Sequence, residues 1–391
     1  MSASNVESIR VLHIVDNLGK GGLENGLANL IERMDPARFE HVVFAIRRLG
    51  LNADRLAKAS VRVICAGKTG GDSAFQIPLM LRCIREVRPD IVHSRNWAGI
   101  EAVVAGRWFG PCALIHSEHG VDLDSGSTTH WRRRWLRRLA FELADRVMCV
   151  SYQLRDSHAK ETGFSPGRIT VIHNGVNTER YRPDAAQRTL VRKELGVDAE
   201  EVCIVSVGNL FPVKDHMTLL QAMAETIPSL PNLRLFLIGE GPELPKLQAF
   251  LDGRPEMKSR TRFLGITDKV PELLRGMDIY VSSSINEGIS NSVLEAMATG
   301  LPVLATAAGG NPETVVNDIS GLLFPVGDCL RLADLLLRLG TEQETRSRLG
   351  AGALCQVRER FTMESMVSKY DGLYSDVLTK TGRKRLLWKR R

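Results

Sequence analysis

The chain has 391 residues, 43% hydrophobic and 25% charged, a composition that excludes collagen-like, disordered and disulfide-stapled chains and leaves room for two or three domains. Its formal net charge is +7, but Lys380, Arg383, Lys384, Arg385, Lys389, Arg390 and Arg391 fall in a tail with no acid. The body is therefore formally neutral, which argues against a nucleic-acid-binding face.

Residues 1–10 contain charges and no apolar run of signal-peptide type, and no 18-residue apolar stretch occurs anywhere. Seven cysteines, at 65, 83, 112, 149, 203, 329 and 355, are odd in number, lack a CxxC pair and sit mostly in apolar runs such as Val61-Arg62-Val63-Ile64-Cys65. They are expected to be reduced core residues of a cytoplasmic protein.

Short β-branched runs alternate with amphipathic stretches, as βα units of parallel sheets require. The first series predicts strands at 11–15, 41–45, 61–64, 90–93, 113–116, 146–150 and 169–172. Residues 179–187 read as a polar linker into a helix at 188–195. A second series follows at 202–207, 233–238, 261–264, 279–282, 303–305 and 321–324. Each series makes one doubly wound domain, and ligands bind such sheets at the carboxyl ends of their strands. Two such sheets facing each other would leave a cleft with substrates on both sides.

After the first strand, Asn17-Leu18-Gly19-Lys20-Gly21-Gly22-Leu23-Glu24 opens a helix whose amides and dipole suit an anion. The dinucleotide fingerprint fails, because Glu24 stands where its third glycine belongs and the second strand leads to Arg47-Arg48 instead of an acid. No Gly-Lys-Ser/Thr completes a Walker loop, and a plain structural turn remains open.

The densest chemical signal is Ser284-Ile285-Asn286-Glu287-Gly288-Ile289-Ser290-Asn291-Ser292-Val293-Leu294-Glu295. Ser290 or Asn291 would cap a helix ending at Gly300, with Glu287 in the preceding loop. Glu295 lies about four residues into the helix, about 6 Å along its axis. The helix N-terminus between the two acids suits a diphosphate, and each acid can take hydroxyls on one side of it. That is the form of a sugar, a diphosphate and a ribose.

The Glu287/Glu295 spacing is similar to the E-x7-E pair of the retaining glycosyltransferases of family 4, which have the α/β GT-B fold of two facing Rossmann-like doubly wound domains and an interdomain cleft. The resemblance extends over almost the whole chain. It includes Gly21-Gly22-x-Glu24, His173-Asn174-Gly175-Val176, Val207-Gly208, Lys214, Ile238-Gly239-Glu240-Gly241-Pro242, Phe263-Leu264-Gly265, Gly300-Leu301-Pro302-Val303 and Gly309-Gly310-x-x-Glu313. The His93-Ser94-Arg95-Asn96-Trp97-Ala98-Gly99 run and the loop at 116–120 resemble, more weakly, bacterial sugar transferases of exopolysaccharide and exosortase-associated systems.

The resemblance implies an N-terminal acceptor-side domain at 1–182, a nucleotide-sugar domain at 183–365, and a C-terminal helix at 366–391 returning to the first domain before the basic tail. A sugar would pass from a UDP- or GDP-type donor to a hydroxyl of a glycan or lipid-linked acceptor with retained configuration, without a cofactor or an obligatory metal. Lys214 would meet the β-phosphate and Glu287 the donor-sugar hydroxyls, with Gly288, Ile289, Ser290 and Asn291 around the diphosphate. Glu295 would meet the ribose, and Gly265 and Ile266 would lie near the base. Gly21 and Gly22 would approach the diphosphate on closure, and His119 would contact the donor sugar.

One departure stands out: Asn209 occupies the position where many members carry a second phosphate-binding arginine. A catalytically weakened nucleotide-sugar-binding protein, or a GT-B epimerase, is the competing expectation. Glu118 is a lesser candidate for base or nucleophile. His93 and His116 fit strand interiors, and Asp122-x-Asp124 fits a polar loop better than a metal site. The block at 131–138 joins Trp131, Trp135 and Leu136 to five arginines. It is expected either to pack by its tryptophans or to lie, with the tail, on an anionic membrane surface at the cytoplasmic face.

Overall fold

In the computed structural model, residues 8–19, 21–67, 77–109, 112–120 and 130–388 are described, beyond 380 by backbone alone. Asp122, Asp124 and the tail side chains from Arg383 onward lie outside the described residues. Two compact units result, one of Met1–Asn174 with Met363–Arg391 and one of Gly175–Thr362. The divisions fall at 174/175 and 362/363, where the sequence set them at 182/183 and 365/366.

The first unit contains β1 (Ile9–Asn17), β2 (Phe39–Arg48), β3 (Arg62–Cys65), β4 (Ile91–Arg95), β5 (Ala113–Glu118), β6 (Arg146–Cys149) and β7 (Ile169–Val171). They form one sheet in the order β3-β2-β1-β4-β5-β6-β7. The second unit contains β8 (Val202–Val207), β9 (Leu233–Ile238), β10 (Thr261–Gly265), β11 (Ile279–Ser282), β12 (Val303–Thr306) and β13 (Gly321–Phe324), in the order β10-β9-β8-β11-β12-β13. All of these pairings are parallel. Parallel strands covered on both faces must be apolar almost throughout, which is why they stand out in sequence. Val11, Leu12, Ile14 and Val15 of β1, like Cys203, Ile204 and Val205 of β8, are buried.

In each sheet the chain reverses its winding between the first strand and the fourth, at β1/β4 and at β8/β11. Loops leaving opposite ways there open a crevice at the strand carboxyl ends. That position selects which residues of each unit can form a site.

The long helix Met363–Trp388 belongs to the first unit. It buries Tyr370, Leu373, Tyr374 and Val377 there, with ion pairs from Arg38 to Asp371 and from Arg146 to Asp376 at its margin.

Three expectations need correction. The helix after the linker spans Ala185–Leu195, because the Asp184 carboxylate accepts the Gln187 amide at 2.9 Å and starts the helix inside the polar stretch. Cys65 and Cys355 are exposed and Cys329 is half-buried. Cys65 ends β3, which among the described residues has no neighbour on its outer side. Finally, of the two alternatives held for residues 131–138, packing by the tryptophans is the one that fails: Trp131 and Trp135 are 66% and 60% exposed.

Candidate active site

In the second unit, the loops after β8 and β11 leave from adjacent strands and are tied together. The Ile285 amide donates to the Val213 carbonyl at 2.8 Å, and the Ser283 hydroxyl to the Lys214 carbonyl at 2.9 Å. These bonds bring the Lys214 ammonium into an ion pair with Glu287. Ser284 Oγ donates to the second Glu287 oxygen at 3.2 Å. Behind this loop, the Gly310 amide donates to the Glu287 carbonyl at 2.9 Å. Gly309 has φ of +58°, and a Cβ on Gly309 or Gly310 would collide with the carbonyl oxygen of Glu287 or Gly288, respectively. The glycine pair therefore serves to let two backbones touch under the acidic loop.

The helix Asn291–Ala298 begins directly after that loop, with Ser290 as its N-cap. Its first turn carries the positive end of the helix dipole. Ser290 and Ser292 hydroxyls are 3.2 Å apart, and Tyr280 Oη donates to Ser292 Oγ at 2.8 Å. Gly288 and Ile289 line the same approach, with Ile289 buried. Glu295, half-buried on this helix, has its carboxyl pushed up to about 7 by burial, against the opposing pull of the Tyr181 hydroxyl bond and the Arg180 charge.

The remaining candidates of this unit also follow strand carboxyl ends. Asn209 is exposed after β8. Gly265 ends β10, its carbonyl accepting the Gly239 amide at 2.9 Å, and Ile266 is 50% exposed.

In the first unit, Gly21 caps the helix Gly22–Arg33 at the carboxyl end of β1. His119 follows β5, with its amide donating to Asn96 Oδ1 at 2.7 Å and its Nε2 lying 3.0 Å from Ser117 Oγ. Its imidazole is pushed down to about 3, first by burial and then by the charge of Arg95, so at neutral pH it is uncharged. Glu118 does not suit a base or nucleophile. Its side chain is 1% exposed and bonded to Arg137 at 2.8 Å, which holds the carboxyl well below its usual range despite burial.

Residues 187–354 match the family described as glycosyl transferases group 1, and residues 20–180 match glycosyltransferase family 4. An Escherichia coli relative, UDP-Gal:alpha-D-GlcNAc-diphosphoundecaprenol alpha-1,3-galactosyltransferase, is 26% identical over 76% of this chain and 78% of its own. The N-acetyl-alpha-D-glucosaminyl L-malate synthase of Bacillus anthracis is 31% identical over 68% of each chain. The chain belongs to glycosyltransferase family 4. Its GT-B fold is shared with Anabaena HepE, solved with UDP and glucose, at a TM-score of 0.79 and 21% identity, covering 94% of this chain and 99% of that one.

For a family 4 glycosyltransferase, the structure adds residues that sequence patterns did not bring forward. Tyr181, inside the stretch read as linker, is buried and hydrogen-bonded to Glu295. Its signal was an aromatic among charges. Ser284 and the Gly309-Gly310 pair were already motif residues in the sequence; the structure adds their role, supporting Glu287 from behind.

Glu295 yields a prediction with a definite sign. A carboxyl whose folded value is about 7, above its unfolded value, contributes stability that is present below the unfolded value and lost as pH rises through 7. Glu295→Gln should therefore match the wild type in denaturant unfolding at pH 5 and exceed it by about 1–3 kcal/mol at pH 8. Equal stabilities at pH 8 would contradict the raised carboxyl of Glu295.

Proposed function

We propose that this glycosyltransferase moves a sugar, with retained anomeric configuration, from a UDP- or GDP-type nucleotide sugar to a hydroxyl of a glycan or lipid-linked acceptor in bacterial polysaccharide or glycoconjugate synthesis. The observation that carries this is the Lys214–Glu287 pair beside the N-terminus of the helix bearing Glu295. An arriving diphosphate competes with Glu287 for the Lys214 ammonium. Winning it, the phosphate gains a cation, and the Glu287 carboxylate, still held by Ser284, is released to accept sugar hydroxyls. The amides of the helix N-terminus take the remaining phosphate charge. Glu295 accepts ribose hydroxyls, and Gly265 and Ile266 border the base.

The barrier to transfer is separation of charge between the departing diphosphate and a cation-like anomeric carbon. Donors already fixed at the phosphates lower it without reorganisation. Asn209 brings no charge to this task, so Lys214 and the helix N-terminus carry it, and no obligatory metal is invoked. Gly21 and Gly22 are assigned to the diphosphate and His119 to the donor sugar.

A membrane surface is the second partner. Among the described residues no helix is long and apolar enough to cross a bilayer. However, Trp108, Trp131 and Trp135 are 69%, 66% and 60% exposed, and Arg132 and Arg134 are exposed on the Trp131 helix. Tryptophans beside arginines suit an anionic headgroup layer, and the E. coli relative is named for a lipid-linked acceptor.

Lys214→Ala should lower kcat by about 100-fold or more with the fold intact. Turnover by the wild type should persist in EDTA, and the product anomer should match the donor by NMR. In a thermal-shift screen, UDP or GDP should raise the melting temperature; binding of neither nucleotide, or near-normal turnover without Lys214, would contradict the donor site. Cosedimentation with anionic vesicles should fall when Trp131 and Trp135 are both changed to Ser, and absence of any anionic-lipid preference would contradict the membrane assignment.

A further inference from the structure

The carboxyl ends of β4 and β5 carry a buried polar chain that ends at His119. Arg95, the last residue of β4, is 2% exposed, and among the described residues no carboxylate pairs with it. Its Nη1 donates to His13 Nδ1 at 2.9 Å, and its Nη2 lies 3.4 Å from His93 Nδ1. Tyr374 Oη, from the helix Met363–Trp388, lies 2.9 Å from the same His93 nitrogen.

A guanidinium has donors only and keeps its proton. The imidazole nitrogens that face it must therefore accept. Burial and the Arg95 charge push His13 and His93 well below the ordinary histidine range, so both rings are neutral and each has one N–H. With His93 Nδ1 accepting, its proton sits on Nε2, which donates to Ser117 Oγ at 3.1 Å. The Ser117 hydroxyl then has its own proton to give. Its nearer acceptor is His119 Nε2 at 3.0 Å; the Ser94 carbonyl is at 3.3 Å.

The same logic runs along the other branch. His13 Nδ1 accepts from Arg95, so its Nε2–H donates to His41 Nδ1 at 2.9 Å. The proton of neutral His41 is then on Nε2, an atom that among the described residues is buried without a partner. One branch thus ends in a stranded N–H, while the other ends at a half-buried ring at the strand edge.

We propose that Arg95 and Tyr374, through His93 and Ser117, fix the tautomer of His119 with the ring proton on Nδ1, so that His119 offers substrate a hydrogen-bond donor and not a base. The part concerning substrate rests on the donor-sugar role proposed above for His119; the tautomer itself does not. Arg95, His93, Ser117 and Tyr374 are positioning residues. The C-terminal helix thereby reaches the chemistry through one tyrosine hydroxyl.

The test is a long-range 1H–15N correlation spectrum of the full-length protein labelled with 15N-histidine at neutral pH. His119 is assigned as the ring lost in His119→Asn. The expected pattern is a neutral ring protonated at Nδ1. In Ser117→Ala the preference for Nδ1–H should be lost and kcat should fall about tenfold, the effect of one misplaced hydrogen bond, while Ser117→Thr, keeping the hydroxyl, should restore both. A wild-type His119 protonated at Nε2, or a tautomer unchanged in Ser117→Ala, would overturn the proposal. A spectrum as expected from a protein that transfers no sugar would overturn the donor-sugar role alone.

Discussion

Lys214 and Glu287 neutralise each other at the switch point of the second sheet, and most of what surrounds them exists to keep that pair in place. The bonds from Ile285 to Val213 and from Ser283 to Lys214 join the two loops, and the glycines at 309 and 310 let a third backbone close against the acidic one. An ammonium and a carboxylate held this way are a reserve of charge. In the proposed donor mode, a bound diphosphate would use the cation and free the anion in a single exchange, so that one ion pair would link donor binding to sugar orientation.

The first unit solves a different electrostatic problem. Its buried cation, Arg95, faces imidazoles and, among the described residues, pairs with no carboxylate. Burying a charge in this way is expensive unless its hydrogen bonds are met. Here they are met by groups that pass the polarity on. Glu118, at the end of β5, is instead compensated by a charged partner, Arg137 from the helix His130–Leu143.

The strands were readable in sequence because parallel strands buried on both faces cannot hide their apolar runs, and β1, β8 and β9 are plain examples. The acidic loop and its helix were readable because capping and E-x7-E spacing are local. What escaped depended on partners distant in sequence. Tyr181 looked like part of a polar linker, since the carboxyl that gives its hydroxyl a purpose is on another element. The start of the helix at Ala185 was masked by the charges that cap it. Cys65 read as core because its run is apolar, yet strand order puts it on an edge. His93, correctly placed inside a strand, gave no sign that strand neighbours would make it part of a chain of hydrogen bonds.

The central claim is that the N-terminus of the helix Asn291–Ala298 receives a diphosphate. Amide hydrogen exchange of the backbone from 288 to 294, measured with and without UDP or GDP, tests it most directly. The account predicts that exchange slows in this segment and around Lys214 on adding the nucleotide that binds. Bound nucleotide with exchange there unchanged would contradict it.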